Sequence, residues 1–342
     1  MLDGSQLSEA KRALLERYRR GDLPRSAPTV VPGTRGAEAL VAGPHAGVVA
    51  VQSGKSKRPF FFLHGQWIRE VGALCFPLAR QLGPDQPFYM VEPNTFDDPG
   101  NLPTLEIIAA KHIKALRAVQ PDGPYLLGGF CNGGLVAYEM ARQLHADGQK
   151  VDLLALMDPL LLVQPPRLKL AFRFIKRYGE LMRVKVETQV AWFLCLRNVY
   201  SYLQDVDAYA RHRMQMLKVL LRRNSAETVN NGSGRDNSAV AFPRLASIVP
   251  RADNLLQDYP GVFTWVALHY KPATVYPGKI SFFWPTSSTS RRGWRAVEEA
   301  NDVEVHVIPG RSMSLLTDGR ARVAEYLRAC LSKVHGTTTA HS

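Results

Sequence analysis

The 342-residue chain is expected to fold as an α/β domain, a mostly parallel central sheet with helices on both faces and a large helical lid insertion. Three observations predict this. From Gly47 to Asp158, short apolar runs alternate with segments of helical period, as strands and crossover helices do in a parallel sheet covered on both faces. The alternation stops at Pro165 and resumes at Lys279, so helical sequence interrupts one sheet. The composition, 46% apolar and 21% charged, is ordinary for a chain with a packed core and excludes disorder as the main state.

The elements follow in order. "LSEAKRALLERYRRGDLP" reads as a short helix with Ser8 as N-cap, and the Pro/Gly-rich stretch from Pro24 to Gly47 reads as linker. "GVVAVQ" and "RPFFFLHG" are strands, "VGALCFPLARQLG" is a helix despite Pro77, and "QPFYMVEP" is a third strand. After Pro103, Thr104 caps a helix whose Leu105, Ile108, Ala109, Ile113 and Leu116 fall on one face. "PYLLGGF" is a buried strand, Asn132–His145 a helix and "VDLLALMD" the next strand. Beyond the lid come strands "KISFFW" and "VEVHVIP" and an amphipathic helix from Ala321 to Lys333. The expected organisation is therefore helix and linker over 1–46, one domain over 47–335 with its lid at about 165–273, and a disordered tail over 336–342.

Several function classes are excluded by composition. No apolar run reaches the roughly 18 residues of a membrane span, and Met1–Arg20 lacks the apolar core of a signal peptide. Cys75, Cys131, Cys195 and Cys330 lie far apart without CxxC pairs, which argues against a disulfide framework and a cysteine-rich zinc site and for a reducing, cytoplasmic compartment. No metal-ligand spacing is visible, so no metal and no bound cofactor is expected. "SGKS" at Ser53–Ser56 is not a phosphate loop, because Val49 stands where the motif needs glycine and a strand follows.

The net charge is +13, and 13 Lys/Arg against four Asp/Glu between Pro166 and Arg223 place +9 of it in the lid. Nucleic acid is one reading of this charge, but with no zinc-finger spacing, RNP-like signature or convincing helix-turn-helix no nucleic-acid partner is expected, and the bland reading is a solvated helical face.

"LLGGFCNGG" carries the chemistry. It sets Gly129-Phe130-Cys131-Asn132-Gly133 at a strand-to-helix turn, a G-x-nucleophile-x-G pattern with cysteine in the centre. The nucleophile of such an elbow sits on a sharp turn, so the positions two before and two after it must lack bulk. The helix that follows aims its N-terminus at the thiol, an arrangement that favours the thiolate.

"GPYLLGGFCNGGLVAYEMARQL" (Gly123–Leu144), with "GPDQPFYMVEP", "LLALMD" and "YPGKISFFW", resembles the α/β-hydrolase thioesterases of nonribosomal peptide and polyketide assembly lines. The resemblance covers about Arg58 to Leu331 and implies the following site. Cys131 is the nucleophile, and Asp158, at the end of "LLALMD", is the acid. The backbone N–H groups of Gln66, after His64-Gly65, and of Asn132 form the oxyanion hole. The family's histidine follows the last strand in a "PG-x-H" turn, and here "VIPGRSMSLL" puts Ser312 at that position. His306 falls two residues before the turn, within a strand; His112, His145 and His269 fall on helices or in the lid.

Without that base, hydrolysis suffers more than exchange between two thiols, because water needs a general base while a thiolate attacks unaided. The Cys nucleophile is also similar to that of aminoacyltransferases working between carrier domains. The expected function is acyl or aminoacyl transfer from a phosphopantetheine-tethered thioester through Cys131, to a second carrier or a small nucleophile. The alternatives are a hydrolytic editing or release thioesterase and a non-catalytic carrier-binding module. The expected partners are acidic carrier proteins docking on the basic lid, with no nucleic acid or membrane and a monomeric chain.

Overall fold

The computed structural model describes residues 47–54, 56–65, 71–160, 166–200, 202 and 252–336. The expected N-terminal helix and linker, the lid between 203 and 251 and the tail from 337 lie outside the described residues.

Among the described residues, seven strands form one sheet: β1 (Val48–Gln52), β2 (Phe60–Leu63), β3 (Phe88–Val91), β4 (Tyr125–Phe130), β5 (Val151–Met157), β6 (Ile280–Pro285) and β7 (Val303–Ile308). Their order is β1-β3-β2-β4-β5-β6-β7. Only β1 runs antiparallel, against β3, and every other pairing is parallel. The expected α/β class is borne out. Phe60, Phe61 and Phe62 are all fully buried, and alternate residues enter opposite core clusters, as a central parallel strand requires.

The helices are α1 (Val71–Gln81), α2 (Leu105–Val119), α3 (Asn132–Ala146), α4 (Pro166–Leu181), α5 over residues 186–200, α6 (Tyr259–His269), α7 (Arg295–Ala300) and α8 (Arg320–Gly336). Helix α1 continues through Pro77, and Thr104 caps α2 by accepting the Ile107 N–H at 3.4 Å. One face of the sheet packs on α1 and α8 through Cys75, Leu78, Val323 and Leu327. The other packs on α2 and α3 and on the lid helices α4, α5 and α6 through Phe172, Phe193 and Trp265. Sequence periodicity left out α7, a single turn and a half between β6 and β7. Helix α8 runs to Gly336, past the expected end at Lys333.

Among the described residues, a buried polar knot ties the lid to the body. Glu139 on α3 is 1% exposed; it accepts from Tyr270 Oη at the end of α6 (2.6 Å), from Arg142 Nε (2.9 Å) and from Gln143 Nε2 (2.9 Å). Burial and this anionic neighbour push the Tyr270 hydroxyl far above its ordinary pKa, so it stays a donor.

Candidate active site

Strands β3 and β4 lie on opposite sides of β2, so the chain reverses its winding between β2 and β4. In open α/β sheets the crevice outside the carboxyl ends at such a point is where ligands bind. The end of β2 is His64-Gly65 and the end of β4 is Cys131, so the reversal brings the two candidate halves of the site together.

Cys131 stands between β4 and α3 with φ 55° and ψ −120°, a conformation costly for a residue with a Cβ, on the order of 1–3 kcal/mol. Its peptide groups hold it there. Cys131 N donates to Met157 O (3.0 Å), and Cys131 O accepts from Gly134 N (3.1 Å) and Leu160 N (2.8 Å). The glycines are required by space. A Cβ on Gly129 would lie 2.5 Å from Gly133 O, and one on Gly133 would run into the Leu63 carbonyl. Gly65 is equally close, for its Cβ would lie 2.9 Å from Phe130 O and 3.1 Å from Cys131 Cβ. The turn after β2 therefore sits directly against the elbow.

Asn132 opens α3, where the first N–H groups have no partner within the helix and point outward. Gln66, the other expected oxyanion donor, lies outside the described residues.

Asp158 ends β5 beside the elbow, at φ 39° and 7% exposed. Its N–H donates to Phe283 O (2.9 Å) and its Oδ1 accepts from Ser288 Oγ at 2.6 Å. Ser288 was not singled out in the sequence; its only signal was the hydroxyl-rich "PTSSTS" after β6. That loop also pins the turn after β7: Ser287 Oγ donates to Gly310 O (2.9 Å), and Gly310 N donates to Thr286 Oγ1 (3.1 Å). Ser312 begins a single 3-10 turn, Ser312–Leu315, on the far side of Gly310. Cys131, Asp158, Ser288 and Ser312 thus follow the carboxyl ends of four adjacent strands, β4 to β7.

A narrow cleft opens beside Asn132. His64, Asn94 and His112 line it, and Tyr259 and Phe263 of α6 bring the lid over it. Burial drives both His64 and His112 down to a pKa of about 4, so both imidazoles are neutral near pH 7. The lid residues carry no sequence signal, since their role depends on α6 folding back across about 130 residues.

Two other described histidines are engaged elsewhere. His306 lies in β7, stacked on Tyr326, and His269 packs against Phe172 and Trp265. None of the four cysteines forms a disulfide.

Residues 72–166 match the thioesterase domain family. The chain is 33% identical over 112 residues to the polyketide synthase PksR of Bacillus subtilis, covering 32% of this chain and 4% of that one. It is 34% identical over 257 residues to the nonribosomal peptide synthetase ApvA of Aspergillus terreus, covering 73% of this chain and 24% of that one. Among solved structures, the NocB thioesterase domain in covalent complex with a fluorophosphonate nocardicin G analog is similar at 19% identity and a TM-score of 0.48, over 81% of this chain and 96% of that one. The chain spans a quarter or less of the curated relatives named here. The elbow thus lies within residues 72–166, which match a thioesterase domain, on a sheet of α/β-hydrolase type, and the chain has relatives among polyketide and nonribosomal peptide synthases.

Proposed function

We propose that this chain takes an acyl group from a phosphopantetheine-tethered thioester onto Cys131 and passes it to a second thiol or small nucleophile. The observation that supports this most is the pairing of a cysteine at the elbow with Ser312 after β7, while Asp158 is engaged by a hydroxyl rather than an imidazole. The Cys131 thiolate attacks the thioester carbonyl, and the oxygen's developing charge is met by the Asn132 N–H. Collapse expels the pantetheine thiolate, which takes a proton from solvent. The acceptor thiolate then attacks the acyl-S-Cys131 bond, and the Cys131 thiolate leaves. Each half is an exchange of one thiolate for another, so neither demands a base to activate water. Asp158 and Ser288 act as positioning residues that hold the strand ends around the elbow.

The donor and acceptor are read as carrier domains. Helix α4 carries Arg167, Lys169, Arg173, Lys176 and Arg177 beside exposed Leu170, Phe174 and Tyr178. A face both basic and apolar suits an acidic, amphipathic carrier surface.

Hydrolytic release or editing is the second reading, favoured by the thioesterase-family match over 72–166. Intact mass spectrometry separates the two. After incubation with acyl-loaded carrier, an adduct absent from Cys131→Ala and chased onto a second carrier is the result expected for transfer. Rapid release of free acid would support hydrolysis, and no adduct in the unsubstituted chain would remove both and leave a carrier-binding module. Ser312→His should raise hydrolysis; an unchanged rate would mean that Ser312 does not occupy the base position.

A further inference from the structure

At the border of the sheet formed by β7, away from the elbow, three side chains able to ligate a metal converge. Glu304 and His306 are two apart on β7 and share one face of the strand. Cys330, 4% exposed, comes from α8, which packs on that face. His306 Nε2 lies 3.5 Å from Glu304 Oε1 and 3.9 Å from Cys330 Sγ, and Sγ lies 4.0 Å from Glu304 Oε2.

Thiol and carboxylate therefore address the same ring nitrogen. A proton relay would place them on opposite nitrogens, whereas a shared cation needs all three lone pairs on one point. Tetrahedral zinc with bonds of about 2.0–2.3 Å separates such ligands by about 3.3–3.6 Å; one ligand atom from each residue already lies within 4.8 Å of the others, so side-chain shifts of about 1 Å close the set.

The imidazole is already aimed. It stacks on Tyr326 (centroids 4.5 Å, 18°) and lies against Phe283 (4.9 Å). Burial lowers its pKa, leaving the lone pair available, and raises that of the Cys330 thiol, so metal binding displaces a proton to solvent. Lys333 (3.1 Å) and Lys279 (3.8 Å) neutralise the Glu304 carboxylate. Their side chains are 61% and 47% exposed and can turn to water when a cation arrives. Ser281 Oγ, 3.6 Å from Sγ, steadies the thiol.

We propose that Glu304, His306 and Cys330 bind a divalent cation of the zinc class, with water as fourth ligand, clasping the edge strand β7 to α8. The site is separate from the elbow: in the row Phe130, Met157, Phe283, His306 the ring stands three strand spacings away, about 14 Å. The ligand set mixes a soft thiolate with imidazole and carboxylate, which suits Zn²⁺ and Co²⁺ over Mg²⁺ or Ca²⁺. Sequence spacing could not show it, because His306 and Cys330 are 24 residues apart on different elements.

Co²⁺ is the probe. Added to the chelator-treated full chain, it should bind one equivalent, with a thiolate-to-cobalt charge-transfer band and tetrahedral visible bands that Zn²⁺ abolishes. Cys330→Ser should lose the charge-transfer band, His306→Gln should weaken binding at least about tenfold, and Cys131→Ser should leave both unchanged. Zn²⁺ should raise the unfolding midpoint of the unsubstituted chain and not that of Cys330→Ser. No band with Co²⁺ in excess, or a band that survives Cys330→Ser, overturns the proposal. Should either variant fail to fold, X-ray absorption on the zinc-loaded unsubstituted chain decides: one sulfur with nitrogen and oxygen neighbours upholds it, and a shell without sulfur refutes it.

Discussion

Cys131 is held at positive φ by three backbone hydrogen bonds, so the fold and not the substrate meets the strain of the elbow. Its neighbour Asp158 depends on one hydroxyl. Ser288→Ala removes the 2.6 Å bond and leaves a buried carboxylate oxygen short of a donor, at a cost of about 1–3 kcal/mol. Acyl-enzyme formation should slow by roughly an order of magnitude, read by quenched-flow mass spectrometry, while Ser288→Thr should restore most of the rate; equal rates in all three would deny Ser288 a positioning role.

His64 and His112 make a second prediction at this scale. Both titrate near 4 when folded against 6.5 when unfolded, so between these values the unfolded chain holds protons that the folded chain lacks. Stability is complete above pH 6.5 and falls as the pH drops toward 4, by on the order of 3 kcal/mol for each ring. Urea titrations across this window should show the loss, and His112→Gln should remove about half of the slope that the two rings supply.

Among the elements, the contact between α3 and the end of α6 ties the helix that lines the cleft to the body. Tyr270→Phe keeps the ring and deletes its bond to buried Glu139, so the lid should loosen at a cost of about 1–3 kcal/mol. Hydrogen exchange should quicken in α6 and not in β4 or β5. Uniform quickening would mean that the knot supports the whole domain and not the lid.

This is also the scale at which sequence reading succeeds and stops. Strands and helices were legible because burial on a two- or 3.6-residue period is a local property, and Thr104 caps its helix as its own side-chain chemistry requires. The elbow was legible for the same reason, since its steric demands fall within five consecutive residues. The Ser288–Asp158 and Tyr270–Glu139 bonds span 130 and 131 residues, and no local pattern announces them.

For the whole molecule, the basic face of α4 sets the expected response to salt. If acidic carriers dock there, charge steers the encounter. Transfer from carrier-bound substrate should then fall several-fold as ionic strength passes about 0.1 M, while a small pantetheine thioester should be indifferent. Equal salt response for both substrates would return those cations to a solvated helix face. No helix among the described residues is long and apolar enough to cross a membrane.

The sequence by itself determined the α/β class, the order of elements and the elbow with cysteine at its centre, because each depends on residues close along the chain. The tertiary structure alone decided what surrounds that cysteine. Reversal of the winding brings His64-Gly65 against the elbow, the loop after β6 supplies Ser288 to Asp158, and α6 folds Tyr259 and Phe263 over the cleft. Packing of α8 on β7 likewise gathers Glu304, His306 and Cys330. The physical reason is common to all four: distant segments meet only when both faces of the sheet must be covered, and no short stretch of sequence records which partners that burial will select.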